Sequence, residues 1–247
     1  MGYFKHFQKI DYDVRGSGYT QKLTNLTQFA KIGTKILDDI SLYSYITIRD
    51  GERPDNLSHR LYGTSDYYWT FFLINQNLVN SYNDWPKDNA DLIEFSESKY
   101  PNLAAISSVI SNSFDPIAGK FKIGETVTGG VTGATGEIVA KYPTDGYILI
   151  KPISGTFNSS GEGIYGLTTN DFLNTQSIVK AAYAPKYWVD DATGERTNRR
   201  TAGTSSYTNY NYEYDQNIEK SRIRAIKPKH IGEVVRVFGR EMKNKAQ

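Results

Sequence analysis

The 247-residue sequence has no cysteine, which excludes a disulfide framework, a thiolate metal site and a cysteine nucleophile, and fits folding in a reducing cytoplasm. It has only three histidines, His6, His59 and His230, and none stands at metal-ligand spacing from a second candidate ligand. Each is read as a surface or packing residue, and neither a metal nor a cofactor is expected. Long apolar runs are missing too. The longest, Phe71 to Ile74 after Trp69, is too short to cross a bilayer, and Met1 to Ile10 lacks the uninterrupted apolar core of a signal peptide. Charge of one sign is also absent: 29 basic residues stand against 27 acidic ones, a formal net charge of +2, so the balance advertises no nucleic-acid or membrane partner.

What the chain does have is aromatic surface. Aromatics make up 13% of the residues and 19 of them are tyrosines, a side chain that joins large buried area to a polar tip. Two readings carry equal weight at this point: a tyrosine-rich core, or tyrosine-bearing contact surface for other proteins. The length sits near the point where one core gives way to several, so several small modules are expected.

Along the chain, residues 1–42 read as an arm. Arg15-Gly-Ser-Gly18 forms a loop, and Leu23, Leu26, Phe29 and Ala30, then Ile36, Leu37 and Ile40, recur at helical spacing. Tyr43 to Asp50 alternates as a strand does, and Asp50-Gly51 ends it in a turn. Pro54 then suits the first position of a helix, Leu57 and Leu61 share its face, and Gly63 closes it in the left-handed conformation. Thr64 or Ser65 caps a second helix with Tyr68, Trp69, Phe72 and Leu73 on its apolar face, ending around Asn75 to Asn77. After Trp85-Pro86, the stretch Asp88 to Glu97 reads as another helix, terminated by Pro101. Residues 102–118 read as a linker. From Gly119 to Gly166, ten glycines from Gly124 onward punctuate short β-rich runs such as Glu137 to Ala140 and Tyr147 to Ile150, which predicts a small barrel or sandwich. Residues 167–215, with Tyr183, Tyr187, Trp188 and four tyrosines between 207 and 214, read as extended segments that order on a partner. Arg222 to Ile226 reads as a strand, and Pro228 opens a helix with Ile231, Val234, Val235 and Phe238 on one side.

The stretch Tyr45 to Gly63 resembles the first half of a LysM module, a strand–helix–helix–strand unit, through Tyr45 and Ile48, Gly51, Leu57 and Leu61, and Tyr62-Gly63. Asn75 and Leu78 match the Asn-x-x-Leu that follows its second helix. The longer pattern Asp50-Gly-Glu-Arg-Pro-Asp55, Leu61-Tyr-Gly63, Tyr68-Trp69 and Trp85-Pro86 is similar to the LysM-like segment of the baseplate wedge protein of T-even-like contractile-tailed phages, the gene product 53 family. The likeness extends to Asn25-Leu-Thr-Gln28 and to Asn217 through Ile231. Two departures stand out: the glycine-rich segment 119–166 looks like an insert, and no second LysM strand follows Leu78. Within the insert, Gly124 to Gly136 resembles β modules of cyanophage structural proteins.

The resemblance implies a virion component of the tail baseplate, assembled in the host cytoplasm, that joins neighbouring wedges into a six-fold ring by contacts with other wedge proteins. Such a clamp takes aromatic and arginine anchors. Arg49, Arg53, Tyr67, Tyr68, Trp69, Tyr82 and Trp85 are the interface candidates. The fold expected is α+β and modular: an arm over 1–42, a LysM-like βαα module with a following helix over 43–100, an all-β barrel or sandwich over 119–166, and an extended region over 167–247 with a terminal strand and helix. The alternative is a peptidoglycan-binding tail protein, in which the turns at Asp50-Gly51 and after Leu73 cradle N-acetyl sugars.

Catalytic readings fare worse. Asp84, Asp88, Asp91, Glu94 and Glu97 contain carboxylates enough for glycoside hydrolysis, but their spacing describes one solvated helix face. Gly161-Glu-Gly-Ile-Tyr-Gly166 matches a dinucleotide fingerprint only formally, since it closes a β-rich module and does not open a helix. The basic stretch with Arg196, Arg199 and Arg200 reads as a solvated loop or a contact for a partner's acidic patch in preference to a nucleic-acid site, and the Asn-x-Ser/Thr triplets at Asn25, Asn56 and Asn158 matter only in a secreted eukaryotic chain. The protein is therefore expected not to be an enzyme.

Overall fold

The computed structural model describes residues 3–26, 39–78, 80–110, 117–197 and 199–244. In chain order its elements are β1 (Lys9–Tyr12), β2 (Gln21–Thr24), β3 (Tyr43–Thr47), α1 (Pro54–Tyr62), α2 (Trp69–Ile74), α3 (Asn89–Lys99), β4 (Leu103–Ser107), β5 (Thr126–Gly129), β6 (Thr135–Tyr142) and β7 (Tyr147–Ser154). There follow β8 (Gly163–Gly166), β9 (Phe172–Lys180), β10 (Pro185–Asp190), β11 (Arg196–Thr197), β12 (Thr204–Thr208), α4 (Asn209–Ser221), β13 (Arg222–Ile226) and α5 (Pro228–Asn244). The chain divides into two compact units, one made of residues 1–88 and 217–247, the other of residues 89–216.

In the first unit, β3 carries the predicted alternation, with Ile46 and Ile48 turned to the core. Helix α1 begins with Pro54 at its first turn and closes on Gly63 at φ 72°, a conformation that costs a residue with a Cβ but not glycine. The second helix differs from expectation. It is split into a 3-10 turn, Ser65–Tyr67, whose start is capped by the Thr64 hydroxyl, and the short helix α2, which ends at Ile74. The strand that does not follow Leu78 is supplied from the far end of the sequence: β13 pairs antiparallel with β3, Ile223 opposite Ile46 and Arg224 opposite Tyr45.

Two motif residues hold that distant strand by hydrogen bonds. Asn75, itself buried, accepts a hydrogen bond from the Arg224 N–H (2.8 Å) and donates from its amide to the Arg224 carbonyl (2.9 Å) across 149 residues of sequence. Tyr62 donates its hydroxyl to the Ile226 carbonyl at 2.9 Å, and burial pushes that phenol well above its ordinary pKa. Ile223 and Ala225 complete a core with Leu57, Phe71, Leu78 and Trp85. The order strand–helix–helix–strand is thus complete, with the whole second unit placed between its third and fourth elements. Helix α5 has the expected apolar side, Ile231, Val234, Val235 and Phe238, and covers Ile74 and Trp69. Strand β2 includes Leu23, one of the positions read above as helical; the rest of that helix, around Phe29, Ala30, Ile36 and Leu37, lies outside the described residues.

The second unit contains a closed six-stranded antiparallel barrel in the order β4-β7-β6-β5-β8-β9, beside a three-stranded sheet in the order β11-β10-β12. The α+β class is as expected, but the barrel is wider than the segment 119–166. It recruits β4 from the stretch read as a linker and β9 from the stretch read as extended, because β4 pairs with both β7 and β9 and closes the cylinder. Strands β10, β11 and β12 pair within the stretch read as extended, with Tyr187 and Tyr207 stacked at 4.4 Å across β10 and β12. Val127, Ile138, Ile148, Ile150 and Ile164 fill the barrel interior.

The barrel is built from two matching halves. Residue 124 corresponds to 161, an offset of 37 positions, and Gly-Glu stands at both Gly124-Glu125 and Gly161-Glu162. Hairpin β5–β6 pairs Thr126 with Glu137, and β8–β9 pairs Gly163 with Asn174 at the same offset. Both second strands bulge at corresponding places, between Ile138 and Ala140 and between Thr175 and Ser177. Each half's glutamate closes the other half's turn. Glu125 accepts from the N–H groups of Thr168 (2.9 Å) and Thr169 (2.7 Å), and Glu162 from those of Val131 (2.9 Å) and Thr132 (3.0 Å). The glycines opposite are required by this approach: a Cβ on Gly129 would lie 2.5 Å from the Glu162 carboxylate, and one on Gly166 2.5 Å from that of Glu125. Burial raises the pKa of both carboxyls, but the backbone donors outweigh it and bring them below the ordinary glutamate value.

Candidate docking surface

The arm that opens the chain is a β-hairpin. Strands β1 and β2 pair from Lys9 opposite Thr24 to Tyr12 opposite Gln21, and every residue of β1 is exposed. Asp13 shapes the turn by accepting from the N–H groups of Gly18 (2.6 Å) and Arg15 (3.0 Å), and these donors, Gly18 first, hold its carboxyl below the usual range. Ile10, Tyr12, Val14 and Leu23 stand in solvent, as do Tyr19 at 84% exposure and Leu26 at 68%. A two-stranded hairpin with no face covered is marginal in water by itself, so this element has most to gain from a partner. Ahead of it, Tyr3 and Phe7 pack against Trp69 and Phe238 and tie the hairpin's base to the first unit.

The interface candidates divide by burial. Trp69 and Trp85 are 4% and 7% exposed and belong to the core. Trp69 lies against Phe238 at 4.7 Å between ring centroids, and Trp85 packs on Phe72 at 5.5 Å while donating its indole N–H to the Glu52 carbonyl at 2.7 Å. As side chains spent on the chain's own core they are not free anchors, which corrects the sequence reading for these two. Tyr67 and Tyr68 are half-buried, packed against the clusters around Ile74 and Trp69. Tyr82 is exposed beside Phe72, and Arg49 and Arg53 are exposed, Arg53 in a loose pair with Asp55 at 3.3 Å.

The turn that would cradle a sugar is occupied by the chain itself. Glu52 accepts from the Arg49 N–H at 3.0 Å and forms a forked pair with Arg60 at 2.6 and 2.8 Å, while its carbonyl is taken by Trp85. Asn75, after the second helix, has its side chain committed to Phe71 and Arg224. Glu52 and Asn75 are therefore spent on the unit's own structure.

Sequence reasoning missed a second exposed surface. On the outer face of the β3–β13 pair, Arg222 lies over the Tyr45 ring at 5.2 Å and Arg224 over Tyr43 at 5.3 Å, each across the diagonal of the strand pair. Tyr45 is 59% exposed and Arg222 is exposed. The signal that finds it is strand β13 itself, whose alternation places Arg222 and Arg224 opposite Ile223 and Ala225.

The carboxylates weighed for hydrolysis do not converge. Asp84 pairs with Lys220 at 3.1 Å and Glu97 with Lys180, while Asp91 and Glu94 are exposed on α3. Gly161 takes φ 89° in a β-turn, as the non-nucleotide reading required. Arg200, expected in a solvated loop, is instead buried, donating to Gln176 Oε1 at 2.6 Å and lying over Trp188 at 5.1 Å. Among the described residues no cluster of three or more histidine, aspartate or glutamate side chains could hold a metal, and no helix is long and apolar enough to cross a membrane.

Residues 3–114 match the family model described as base plate wedge protein 53. No curated protein matches the sequence.

Proposed function

We propose, from the membership of residues 3–114 in the base plate wedge protein 53 family, that this chain joins neighbouring wedges of a phage tail baseplate into a closed ring. The family implies a structural baseplate role and contacts with other baseplate proteins; the joining step is our reading. The observation that carries it is the hairpin β1–β2, inside the matched segment, with its apolar side chains in solvent and its marginal stability alone. A clamp element of this kind gains order and buried area on docking, so binding and ordering are coupled. Of the sequence candidates, Arg49, Arg53 and Tyr82 are the ones exposed to a partner, with Tyr67 and Tyr68 presenting part of their rings. The glycan-reading alternative is disfavoured because Glu52, beside the Asp50-Gly51 turn, and Asn75, after the second helix, already spend their polar groups within the chain.

Mixing the purified chain with partially assembled wedges that lack it, and following particle mass by sedimentation, tests the proposal. Six-fold rings that appear only on its addition are the expected result. Wedges that stay single, with the chain retained on peptidoglycan sacculi instead, would replace it with the wall-binding reading.

A further inference from the structure

We infer that the tyrosine–arginine face of strands β3 and β13 is a docking surface for an acidic protein segment, one that brings a carboxylate to the guanidinium of Arg222. The inference rests on the wedge-joining proposal and names the chemistry of one contact within it. Residues 217–247 contain nine basic side chains against three acidic ones, net +6 in a chain whose total is +2, so the rest of the protein is net negative. The positive field is therefore concentrated in the segment that supplies β13 and α5. Arg222 forms no ion pair among the described residues, and neither do Lys229, Arg236 and Arg240.

Geometry adds specificity to that charge. An arginine stacked on a tyrosine ring has its planar fork held in one orientation, so less freedom is lost when a carboxylate takes its two parallel N–H groups. Arg222 is such a fork, Arg224 repeats the stacking at the next outward position of β13, and Tyr43 and Tyr45 lie 5.9 Å apart, edge to face, beneath them. Tyrosine and arginine are the side chains enriched where protein interfaces concentrate their energy. A nucleic-acid footprint would take roughly six or more phosphate contacts along a stripe, and two guanidiniums on a five-residue strand fall short of it.

The test compares wild type with Arg222→Gln and with the double variant Arg222→Gln, Arg224→Gln in binding to wedge particles that lack this chain, at several salt concentrations. Thermal melting shows that each variant is folded. The single variant removes an exposed charge and its stacking on Tyr45, and keeps the test valid should the double variant fail to fold. Expected are wild-type binding that weakens as salt rises, binding about ten-fold weaker for the double variant with a flatter salt dependence, and partial recovery with Arg222→Lys, Arg224→Lys. Wild type and folded variants joining wedges equally well would overturn the docking surface and leave the wedge-joining proposal standing. Failure of the wild type to join wedges at all would overturn both. Equal loss of binding to a duplex DNA probe in place of wedges would overturn the choice of a protein partner.

Discussion

The two units reach closure in opposite ways. The barrel is assembled from consecutive hairpins, and its two halves lock by an exchange of glutamates, Glu125 into the turn at Thr168-Thr169 and Glu162 into the turn at Val131-Thr132. The first unit has a short local core from β3 to Trp85 that stays incomplete until β13 arrives, and Asn75 and Tyr62 are spent on receiving that strand. A repeated module can carry its own fasteners. A split module must hold open a place for a segment made much later.

The sharpest way to break this contrast is at the returning strand. Ile223→Ala removes a fully buried side chain and should destabilise the first unit by about 3 kcal/mol, with the barrel's transition unmoved. Denaturation can separate the two, since Trp69 and Trp85 report on the first unit and Trp188 on the second. Simultaneous loss of all three signals would show that the units unfold as one. Next in size, Glu125→Gln and Glu162→Gln each place amide hydrogens against backbone donors and should each cost the barrel about 2 kcal/mol. Nearly equal losses are the signature of matched halves, and a loss confined to one would limit the symmetry to shape.

Acid gives a third, graded comparison. Because both glutamates have folded pKa values below the ordinary one, their contribution is fully present above the unfolded value and is lost as pH falls through the folded values. The Trp188 transition should therefore weaken as pH drops below about 4, and the Glu125→Gln, Glu162→Gln double variant should flatten that slope. The smallest effect distinguishes two glycines of α5. Gly232 has nothing within reach of a Cβ, so Gly232→Ala should stabilise the first unit by about 1 kcal/mol in a thermal melt. A Cβ on Gly239 would lie 2.8 Å from the His6 imidazole, so Gly239→Ala should show no such gain.

Much of the first unit was legible because its signals are local. Alternation marked β3, Pro54 and Gly63 bounded α1, and Arg222 to Ile226 stood out as a strand. What sequence could not give was the pairing of β3 with β13, since register between distant strands leaves no local trace. In the barrel, glycines announced turns, yet the edges were misplaced because β4, Leu-Ala-Ala-Ile-Ser, has small residues that read as linker until two neighbours cover them. The duplication was readable in Gly124-Glu125 and Gly161-Glu162, where the second Gly-Glu was weighed only as a nucleotide motif. Trp69 and Trp85 were misassigned to a surface because composition does not distinguish a tryptophan in a small core from one at a contact.

The placement of β13 also sets a timetable for synthesis. A ribosome delivers β3, α1 and α2 early, then makes the whole second unit before the strand that Asn75 awaits 149 residues further on. The second unit can fold while it emerges, and the first cannot close until translation is nearly over. A chain released early would have a finished barrel beside a first unit with one strand and part of its core missing.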